Sequence, residues 1–252
     1  METTGISGNT GAGKARPESA VIVIIGDEIL SGDVQDVNSC FLAGGLTRLG
    51  IRVDQIRVVA DGMEAIVDAL GDAMRTDGLI MVSGGIGPTH DDLTRQAVAE
   101  VLGVPCRRHP GAERMLRDGY GDSITEAELS MADLPEGSEL LPGLRTAVHG
   151  FRVAQMHVMP GVPHLLQDIF ERLAEEWGGS ALEKVEILTD LREGHAADAL
   201  RRIQADWPDV SIGSYPYLDG ERYKLRIVLH AASRDSLEQV RALVEEFIAS
   251  AI

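Results

Sequence analysis

Residues 79–103 constrain the fold more than any other part of the sequence. The apolar run Leu79–Ser83 is followed by the glycine-rich loop Gly84-Gly85-Ile86-Gly87-Pro88 and by a helix-forming segment that Gly103 ends. A short continuous apolar run is typical of a strand buried in a parallel sheet. Ligands of such sheets bind beyond the carboxyl ends of the strands, and glycines let the backbone approach them closely. The segment therefore predicts a strand, a loop and a helix that bind a phosphate-bearing ligand.

The same alternation of apolar runs and amphipathic segments extends over most of the chain. Further strands are expected at residues 20–25, 51–59 and 153–158. Helices are expected to begin at Asn38 and Asp61 and to cover residues 110–119 and 124–132. Strands that alternate with helices at this spacing predict βαβ units and a mainly parallel sheet. Residues 20–178 are therefore interpreted as one α/β domain.

The two ends of the chain depart from this pattern. Residues 1–19 are rich in Gly, Ser and Thr and predict a disordered tail. The tail nearly matches a phosphate-binding P-loop between Gly8 and Ala15, but Ala15 lacks the required hydroxyl and the segment precedes a strand. Beyond a boundary at residues 178–180, the expected order is strand 184–189, helix 194–206, strands 210–215 and 223–230, and helix 234–250. This order predicts a small α+β subdomain over residues 181–252, a partial ferredoxin-like split βαβ.

The formal net charge of −17 excludes some classes of partner. A chain this acidic repels nucleic acid and anionic membrane surfaces, so neither is expected to bind. Cys40 and Cys106 have no metal-ligand spacing and are expected to be free thiols in a reducing compartment. The apolar runs are too short to span a bilayer, and the N-terminus does not resemble a signal peptide. A cytoplasmic location is therefore expected.

Two acidic residues, Asp91 and Asp92, follow the glycine loop, where the next helix is expected to begin. They would repel a phosphate unless a cation such as Mg²⁺ bridges the carboxylate and phosphate oxygens. In the alternative interpretation, Asp91 caps the helix and Asp92 complements its dipole, which requires no ligand. Three preceding glycines are more than a cap requires, which favours a ligand site.

Other acidic residues lie at the ends of the first two strands. Asp61 and Glu64 have the spacing of a capping box, which would make Asp61 a structural residue. The segment Gly26-Asp27-Glu28 is expected at the same sheet edge as the glycine loop, where a carboxylate could reach a sugar hydroxyl, an amino group or a metal. The alternative is a solvated turn. Of the seven histidines, only His90 is expected near the ligand.

Several strings together resemble the molybdopterin-binding fold, and in particular the N-terminal domain of the CinA (competence/damage-inducible protein A) family. They are residues 23–30 (Val-Ile-Ile-Gly-Asp-Glu-Ile-Leu), 32–38, Asp61, 83–94 (Ser-Gly-Gly-Ile-Gly-Pro-Thr-His-Asp-Asp-Leu-Thr), 160–163 (Pro-Gly-Val-Pro) and 211–216. Related domains are MogA, MoaB, MoeA and the corresponding part of eukaryotic FAD synthases. The resemblance implies a three-layer α/β domain of the MogA/MoaB type, which often assembles into trimers or dimers.

The resemblance also implies an activity. In the molybdopterin adenylyltransferase relatives, acidic residues matching Asp61 and Asp92 lie in the active site. The resemblance therefore favours an active-site role for Asp61 over the capping box. CinA-type domains are associated with metal-dependent cleavage of the pyrophosphate in ADP-ribose-like nucleotides, and the eukaryotic relative with FAD hydrolysis. Asp92 and Asp61 are therefore the expected catalytic residues, and Asp91 and Asp92 the expected ligands of a Mg²⁺- or Co²⁺-type cation shared with the phosphates.

The ligand is expected to be molybdopterin or an adenine nucleotide, and the reaction hydrolysis of a dinucleotide pyrophosphate. One alternative is adenylyl transfer to molybdopterin in molybdenum cofactor biosynthesis, and another is a non-catalytic binding or assembly module. The expected ligand-binding residues are Gly26, Asp27, Glu28, Ser83, Gly84, Gly85, Gly87, Pro88, Thr89, Asp91, Thr94, Pro160 and Gly161.

The chain departs from the CinA pattern in two places. Full-length CinA carries a C-terminal amidase domain that deamidates nicotinamide mononucleotide, and this chain ends at Ile252, so that activity is not expected. Many CinA proteins also have an Asn-Pro-x-Gly-Thr-Ala-Pro-Gly-Phe loop. Residues 142–151 here keep Thr146-Ala147 and Gly150-Phe151 but lack the Asn-Pro and Pro-Gly elements. The identity of the substrate depends on this altered loop.

Overall fold

A computed structural model describes residues 17–143, 149–177, 183–220 and 222–251. The chain divides into two compact units, one of Met1–Thr47 with Ile51–Gly179 and one of Arg48–Gly50 with Ser180–Ile252. Four features of the sequence analysis lie outside the described residues. They are the near P-loop match, most of the predicted tail, Thr146-Ala147, and the boundary at residues 178–180. Of the predicted tail, residues 17–19 are described, and Ser19 already belongs to the first strand.

The first unit alternates strands and helices. Its strands are β1 (Ser19–Ile25), β2 (Arg52–Val59), β3 (Leu79–Ser83), β4 (Cys106–Arg108), β5 (Asp133–Pro135), β6 (Glu139–Pro142), β7 (His149–Val153) and β8 (Met156–Met159). Its helices are α1 (Asp27–Leu30), α2 (Asn38–Arg48), α3 (Met63–Ala73), α4 (Thr94–Leu102), α5 (Pro110–Tyr120), α6 (Glu126–Leu129) and α7 (Pro163–Trp177), and short 3₁₀ turns cover 121–123 and 130–132.

A six-stranded sheet in the order β2-β1-β3-β8-β7-β6 forms the centre of this unit. The strands β2, β1, β3 and β8 pair in parallel, whereas β7 and β6 are antiparallel to their neighbours. A separate two-stranded sheet joins β4 to β5. The predicted α/β fold with a mainly parallel sheet is therefore confirmed.

Helices cover both faces of the sheet because successive strand residues point to opposite sides. Val23 and Val82 belong to one core cluster with Leu70 of α3 and Val98 of α4. On the other face, Met81 pairs in register with His157, whose ring lies 5.6 Å from that of Trp177 in α7. The unit therefore has three layers.

Helices α2 and α7 pack against each other through aromatic rings and a glycine. The rings of Phe41 and Phe170 meet edge to face with centroids 5.5 Å apart. A Cβ at Gly45 would overlap the ring of Phe170, so the close approach of α2 requires glycine at this position.

The predicted strand at 153–158 is wrong, because the chain reverses within it. Strand β7 ends at Val153, β8 begins at Met156, and these two residues pair across the turn. Ala154 adopts a left-handed φ of 51° in this turn. A positive φ is uncommon for alanine, so the sequence does not indicate the turn. The predicted helix at 124–132 is also shorter, since α6 spans Glu126–Leu129 behind a capping box formed by Thr125 and Glu128.

The second unit contains β9 (Glu183–Thr189), α8 (Glu193–Asp206), β10 (Val210–Asp219), β11 (Arg222–Ala231) and α9 (Arg234–Ala251). Its sheet has the order β10-β11-β9 with antiparallel pairing throughout. Because β11 lies between β9 and β10, the unit has the predicted split βαβ arrangement. Its core joins Leu225 and Ile227 to Leu237 and Val240 of α9. Among the described residues, no helix has both the length and the apolar character needed to cross a bilayer.

Candidate functional site

A cavity of about 540 Å³ lies within the first unit, at the carboxyl ends of β1, β3 and β8. Its size falls within the usual range for small-molecule sites, about 300–1,000 Å³. Helix α1 and the loops that follow β2 and β3 contribute four carboxylates to its wall, from Glu28, Asp61, Asp91 and Asp92. Side chains of a different character line the rest, namely Leu116, Tyr120, Met131, Leu134, His149 and Phe151. The cavity therefore combines an acidic side with an apolar side.

The glycine loop at the end of β3 has a conformation that requires glycine. Gly84 and Gly85 have φ values of +108° and +65°. A Cβ at Gly84 would overlap the carbonyl oxygen of Ile25, and one at Gly85 would overlap Thr94 Oγ1. The Thr94 hydroxyl donates to the Gly84 carbonyl oxygen at 2.9 Å, and the Thr94 N–H donates to the Gly85 carbonyl oxygen at 3.0 Å. These contacts hold the loop against α4.

Asp91 and Asp92 do not begin the helix, so the predicted helix start is wrong. Helix α4 starts at Thr94 behind Leu93, which provides no side-chain cap. Instead, Asp92 Oδ2 accepts hydrogen bonds from the Thr89 N–H at 2.8 Å and from the Thr89 hydroxyl at 2.5 Å. The turn at Thr89 therefore engages this carboxylate before the helix begins, and the interpretation of the two residues as helix caps is also wrong.

The loop leaves little space beside the Asp92 carboxylate, and a hydrogen bond stabilises the ionised form of Asp91. A Cβ at Gly87 would lie only 2.6 Å from Asp92 Oδ2, which explains the third glycine of the loop. A hydrogen bond from Thr89 lowers the pKa of Asp91, so its carboxylate is ionised at neutral pH. Pro88 also lines the cavity, whereas Thr89 acts through Asp92.

Asp61 is paired with the end of β1 and does not form the predicted capping box. The residue before α3 is Gly62, and no side chain caps that helix. Asp61 Oδ2 accepts a hydrogen bond from the Asp27 N–H at 2.7 Å, and Asp27 Oδ1 accepts one from the Asp61 N–H at 3.3 Å. This exchange joins the first residue of α1 to the loop that follows β2.

The surroundings of Asp61 disfavour its ionised form. Burial is the main cause that raises the pKa of its carboxyl, although the hydrogen bond from Asp27 acts in the opposite direction. The negative charges of Asp27, Glu28 and Asp91 raise the pKa further. Glu28 itself folds back over Gly26, where a Cβ would lie 2.7 Å from its carboxylate. Asp61 is therefore a carboxyl group suited to accepting a proton.

Asn38 is the first residue of α2, as predicted, and its side chain joins the end of β3 to the segment that follows β8. Its side-chain amide donates to Ser83 Oγ at 3.1 Å and to the Gly161 carbonyl oxygen at 2.6 Å. Asp36 Oδ1 accepts from the Ser39 N–H at the start of the helix. Pro160 and Gly161 line the cavity, as expected. Five of the predicted ligand-binding residues are not among the lining residues, namely Gly26, Asp27, Ser83, Thr89 and Thr94. Ser83 and Thr94 are buried and bonded within the protein.

Arg95 was not expected to contribute to the site. Only 3% of it is exposed, and its guanidinium donates to the carbonyl oxygens of Ile86 and Gly87, the latter at 2.9 Å. Burial lowers the pKa of this group. Arg95 is placed three and seven residues before Val98 and Leu102 on the apolar side of α4, and a charged residue in such a stripe is the sequence signal that could have identified it.

His149 is the histidine that lines the cavity, whereas the side chain of His90 is 98% exposed and is not among the lining residues. His149 is buried at the start of β7, and Nδ1 lies 3.3 Å from the Gly150 carbonyl oxygen. Burial lowers the pKa of the imidazole to about 4. Its sequence context is apolar and gives no sign of a ligand site.

Among the residues that the structure describes, side chains alone do not form a complete metal site. Within the described parts of the chain, no three or more His, Cys, Asp or Glu side chains are grouped closely enough to hold an ion. Both Cys40 and Cys106 are free thiols. A cation in this cavity would therefore need oxygen atoms from its ligand.

Comparison with known proteins identifies the family. Residues 21–177 match the family described as "Probable molybdopterin binding domain". The chain belongs to the molybdopterin-binding domain family. Residues 181–252 match a second family, "FAD synthase, middle domain". The predicted resemblance to CinA-like proteins with a MoaB/MogA-type domain is confirmed.

Three relatives illustrate the range of this similarity. A CinA-like protein of Anaeromyxobacter dehalogenans is 34% identical over 73% of this chain and 48% of its own length. A "Probable FAD synthase" of Caenorhabditis briggsae is 31% identical over 92% of this chain and 50% of its own length. The chain thus spans about half the length of both relatives. The crystal structure of CinA from Thermoplasma acidophilum is 28% identical, with a TM-score of 0.60 over 64% of this chain and 99% of that one.

Proposed function

We propose that the cavity binds a nucleotide through its phosphates and that the protein hydrolyses the pyrophosphate of a dinucleotide such as ADP-ribose or FAD with the help of a divalent cation. The observation that carries this proposal is the lining of one cavity by both the glycine loop and four carboxylates. A loop built from glycines exposes backbone to a ligand, and carboxylates next to a phosphate require a cation between them. The similarity of residues 181–252 to the FAD synthase middle domain favours a nucleotide over other phosphate esters.

The residues of the acidic side fit a cation of the Mg²⁺ type. All four carboxylates supply hard oxygen atoms, which such ions prefer. Mg²⁺ commonly binds one or two carboxylates and takes its remaining ligands from water and substrate phosphates. The absence of a group of three side-chain ligands in the described chain agrees with this mode of binding. Asp91, whose carboxylate is ionised, and Asp92 would hold the ion, which would neutralise charge on the pyrophosphate.

The chain's own residues divide the remaining work. Asp61 accepts the proton of the attacking water, because its surroundings disfavour the ionised carboxylate and so favour proton uptake. The Asp27 N–H holds Asp61 Oδ2 and orients the carboxylate. Water attacks one phosphorus, the bond from that phosphorus to the bridging oxygen breaks, and the second phosphate leaves with the bridging oxygen. ADP-ribose would give AMP and ribose 5-phosphate, and FAD would give AMP and FMN.

The test is to incubate the purified protein with ADP-ribose and with FAD in the presence of Mg²⁺, Mn²⁺ or Co²⁺ and to measure AMP by chromatography. We expect AMP release that Asp92→Asn reduces at least about a hundredfold, since the cation would lose one of its two carboxylate ligands. Asp68→Asn is the matched control, because Asp68 is an exposed residue of α3 outside the cavity. Thermal unfolding of both variants shows whether a loss of activity reflects a loss of folding.

The outcomes separate the alternatives. No AMP with any of the metals, from a folded protein, would refute the hydrolysis. Formation of adenylylated molybdopterin from ATP and molybdopterin would replace it with adenylyl transfer. If the protein binds the nucleotide but neither the wild type nor Asp92→Asn turns it over, the protein is a binding module.

A further inference from the structure

We propose that the apolar side of the cavity is the subsite for the planar heterocycle of the nucleotide, and that His149 Nε2 accepts a hydrogen bond from an N–H group of that heterocycle. The subsite presupposes the nucleotide binding proposed above and specifies which part of the ligand lies where. Adenine, flavin and pterin rings share the required chemistry, which is a flat ring that carries an N–H donor.

The walls of this side suit a flat uncharged ring. Leu116 and Tyr120 come from α5, Met131 and Leu134 from the segment around β5, and Phe151 from β7. Tyr120 is 41% exposed and Met131 partly exposed, so these two side chains offer the accessible apolar surface, while Phe151 and Leu134, 1% and 2% exposed, form a rigid backing behind them. A phosphate placed against these groups would lose its hydration without compensation, whereas an aromatic ring gains contact area.

The hydrogen bond of His149 within the protein determines which ring nitrogen can accept. A carbonyl oxygen can only accept, so in its contact with the Gly150 oxygen, Nδ1 of His149 must be the donor. In a neutral imidazole with the proton on Nδ1, Nε2 is an acceptor. His149 therefore offers an acceptor and not a positive charge to a ligand.

Burial above all keeps the ring of His149 in this neutral form. It is the main cause of the lowered pKa; the contact with the Gly150 carbonyl oxygen raises the pKa, and the nearby His109 and Arg95 lower it further. Arg95 stays charged while it holds the carbonyl groups of the glycine loop. A neutral acceptor in an apolar wall does not attract phosphate but favours an N–H donor. Sites of this kind discriminate strongly against ligands that lack the donor, because the acceptor is then left buried and unpaired.

The experiment measures dissociation constants for two pairs of nucleotides with Mg²⁺ present. One pair is AMP and purine riboside 5′-monophosphate, which lacks the exocyclic amine. The other is FMN and N3-methyl-FMN, which lacks the ring N–H. Each is titrated into the wild type, His149→Leu and His149→Gln. Leucine fills a similar volume without an acceptor, and glutamine restores an acceptor oxygen.

We expect the wild type to bind the N–H ligand of at least one pair about tenfold more tightly than its analogue. His149→Leu should bind both members of that pair equally, and His149→Gln should recover part of the preference. Equal binding of both pairs by the wild type, or a preference that persists in His149→Leu, would overturn the subsite. If His149→Leu does not fold, the wild-type and His149→Gln titrations still decide the question.

Failure of the subsite can be distinguished from failure of the proposed function. A wild type that binds none of the four nucleotides overturns the nucleotide site itself and the subsite with it. Binding that ignores the N–H group overturns only the subsite. Binding that depends on the N–H group and on His149, without AMP release from ADP-ribose or FAD, supports the subsite and refutes the hydrolysis.

Discussion

Gly85→Ala tests the structure of the glycine loop most directly. Gly85 has φ +65°, and Gly103 at the end of α4 has nearly the same φ, +66°. A Cβ at Gly103 has no neighbour within 4 Å, whereas one at Gly85 would overlap Thr94 Oγ1. The two substitutions therefore share the cost of a left-handed alanine and differ in the contact with Thr94.

The magnitude follows from this difference. An L-residue in the left-handed region costs about 1–2 kcal/mol, which is the whole expected effect of Gly103→Ala. In Gly85→Ala, the Thr94 hydroxyl must also move, although it is fully buried and donates to the Gly84 carbonyl oxygen at 2.9 Å. Loss of a buried hydrogen bond that leaves a group unpaired costs about 1–3 kcal/mol. Gly85→Ala should therefore lower the free energy of unfolding by about 2–5 kcal/mol in total, and by about 1–3 kcal/mol more than Gly103→Ala does.

The assay is urea unfolding followed by the fluorescence of Trp177, which lies in α7 of the same unit. Trp207→Phe in the background removes the signal of the second unit. If Gly85→Ala costs no more than Gly103→Ala, within about 0.5 kcal/mol, the packing of Thr94 against the loop is wrong. A Gly85→Ala/Thr94→Ala double variant should be less destabilised than the sum of its single variants, because the overlapping hydroxyl is gone.

Three further predictions concern the groups that surround the cavity. The folded pKa of His149, about 4, lies below the ordinary 6.5, so the unfolded state binds more protons between these values. Stability should therefore fall as the pH is lowered through this window, by up to roughly 3 kcal/mol from this group, and His149→Leu should remove that part in urea unfolding at stepped pH. Arg95→Met should leave the Ile86 and Gly87 carbonyl groups without a donor and lower the free energy of unfolding by about 2–4 kcal/mol. It should also weaken AMP binding in fluorescence titrations. Arg95→Lys lacks the two-pronged guanidinium, so it should recover only part of the stability and of the binding. Asn38→Leu should cost about 2 kcal/mol in the same urea assay, since Ser83 and Gly161 lose their donor, whereas Gln35→Ala at an exposed position should cost almost nothing.

Local patterns in the sequence were sufficient for the elements and for the loop. Apolar runs reveal strands such as β1 and β3 because a strand buried on both faces forms a nearly continuous apolar run. The glycine string marks the cavity wall because only glycine tolerates the backbone of Gly84 and Gly85. The second unit was predicted equally well, since its helices and strands alternate with clear periodicity.

Local patterns failed where the backbone direction changes without a marker residue. The apolar run at 153–158 is continuous in sequence, but the chain reverses at Ala154, which adopts a positive φ without being glycine. The start of α4 was misplaced for a related reason. Aspartate is a residue type that often caps helices, so Asp92 was expected at the helix start. In the structure the preceding turn places Thr89 next to Asp92, and the Asp92 carboxylate accepts from Thr89 and does not cap α4.

The sequence by itself determined the α/β order and the glycine loop, because these depend on periodicity and on backbone freedom within a few residues, whereas the three layers were implied by the family resemblance. Only the tertiary structure decided the partners of the polar side chains. Asp61 bonds to Asp27 across 34 residues of chain, and Asn38 bonds to Gly161 across 123. His149 and Arg95 carry no local signature comparable to a glycine loop, because their burial within the fold gives them their properties. An aspartate in a ligand site and an aspartate that caps a helix are the same residue type, and only the fold distinguishes them.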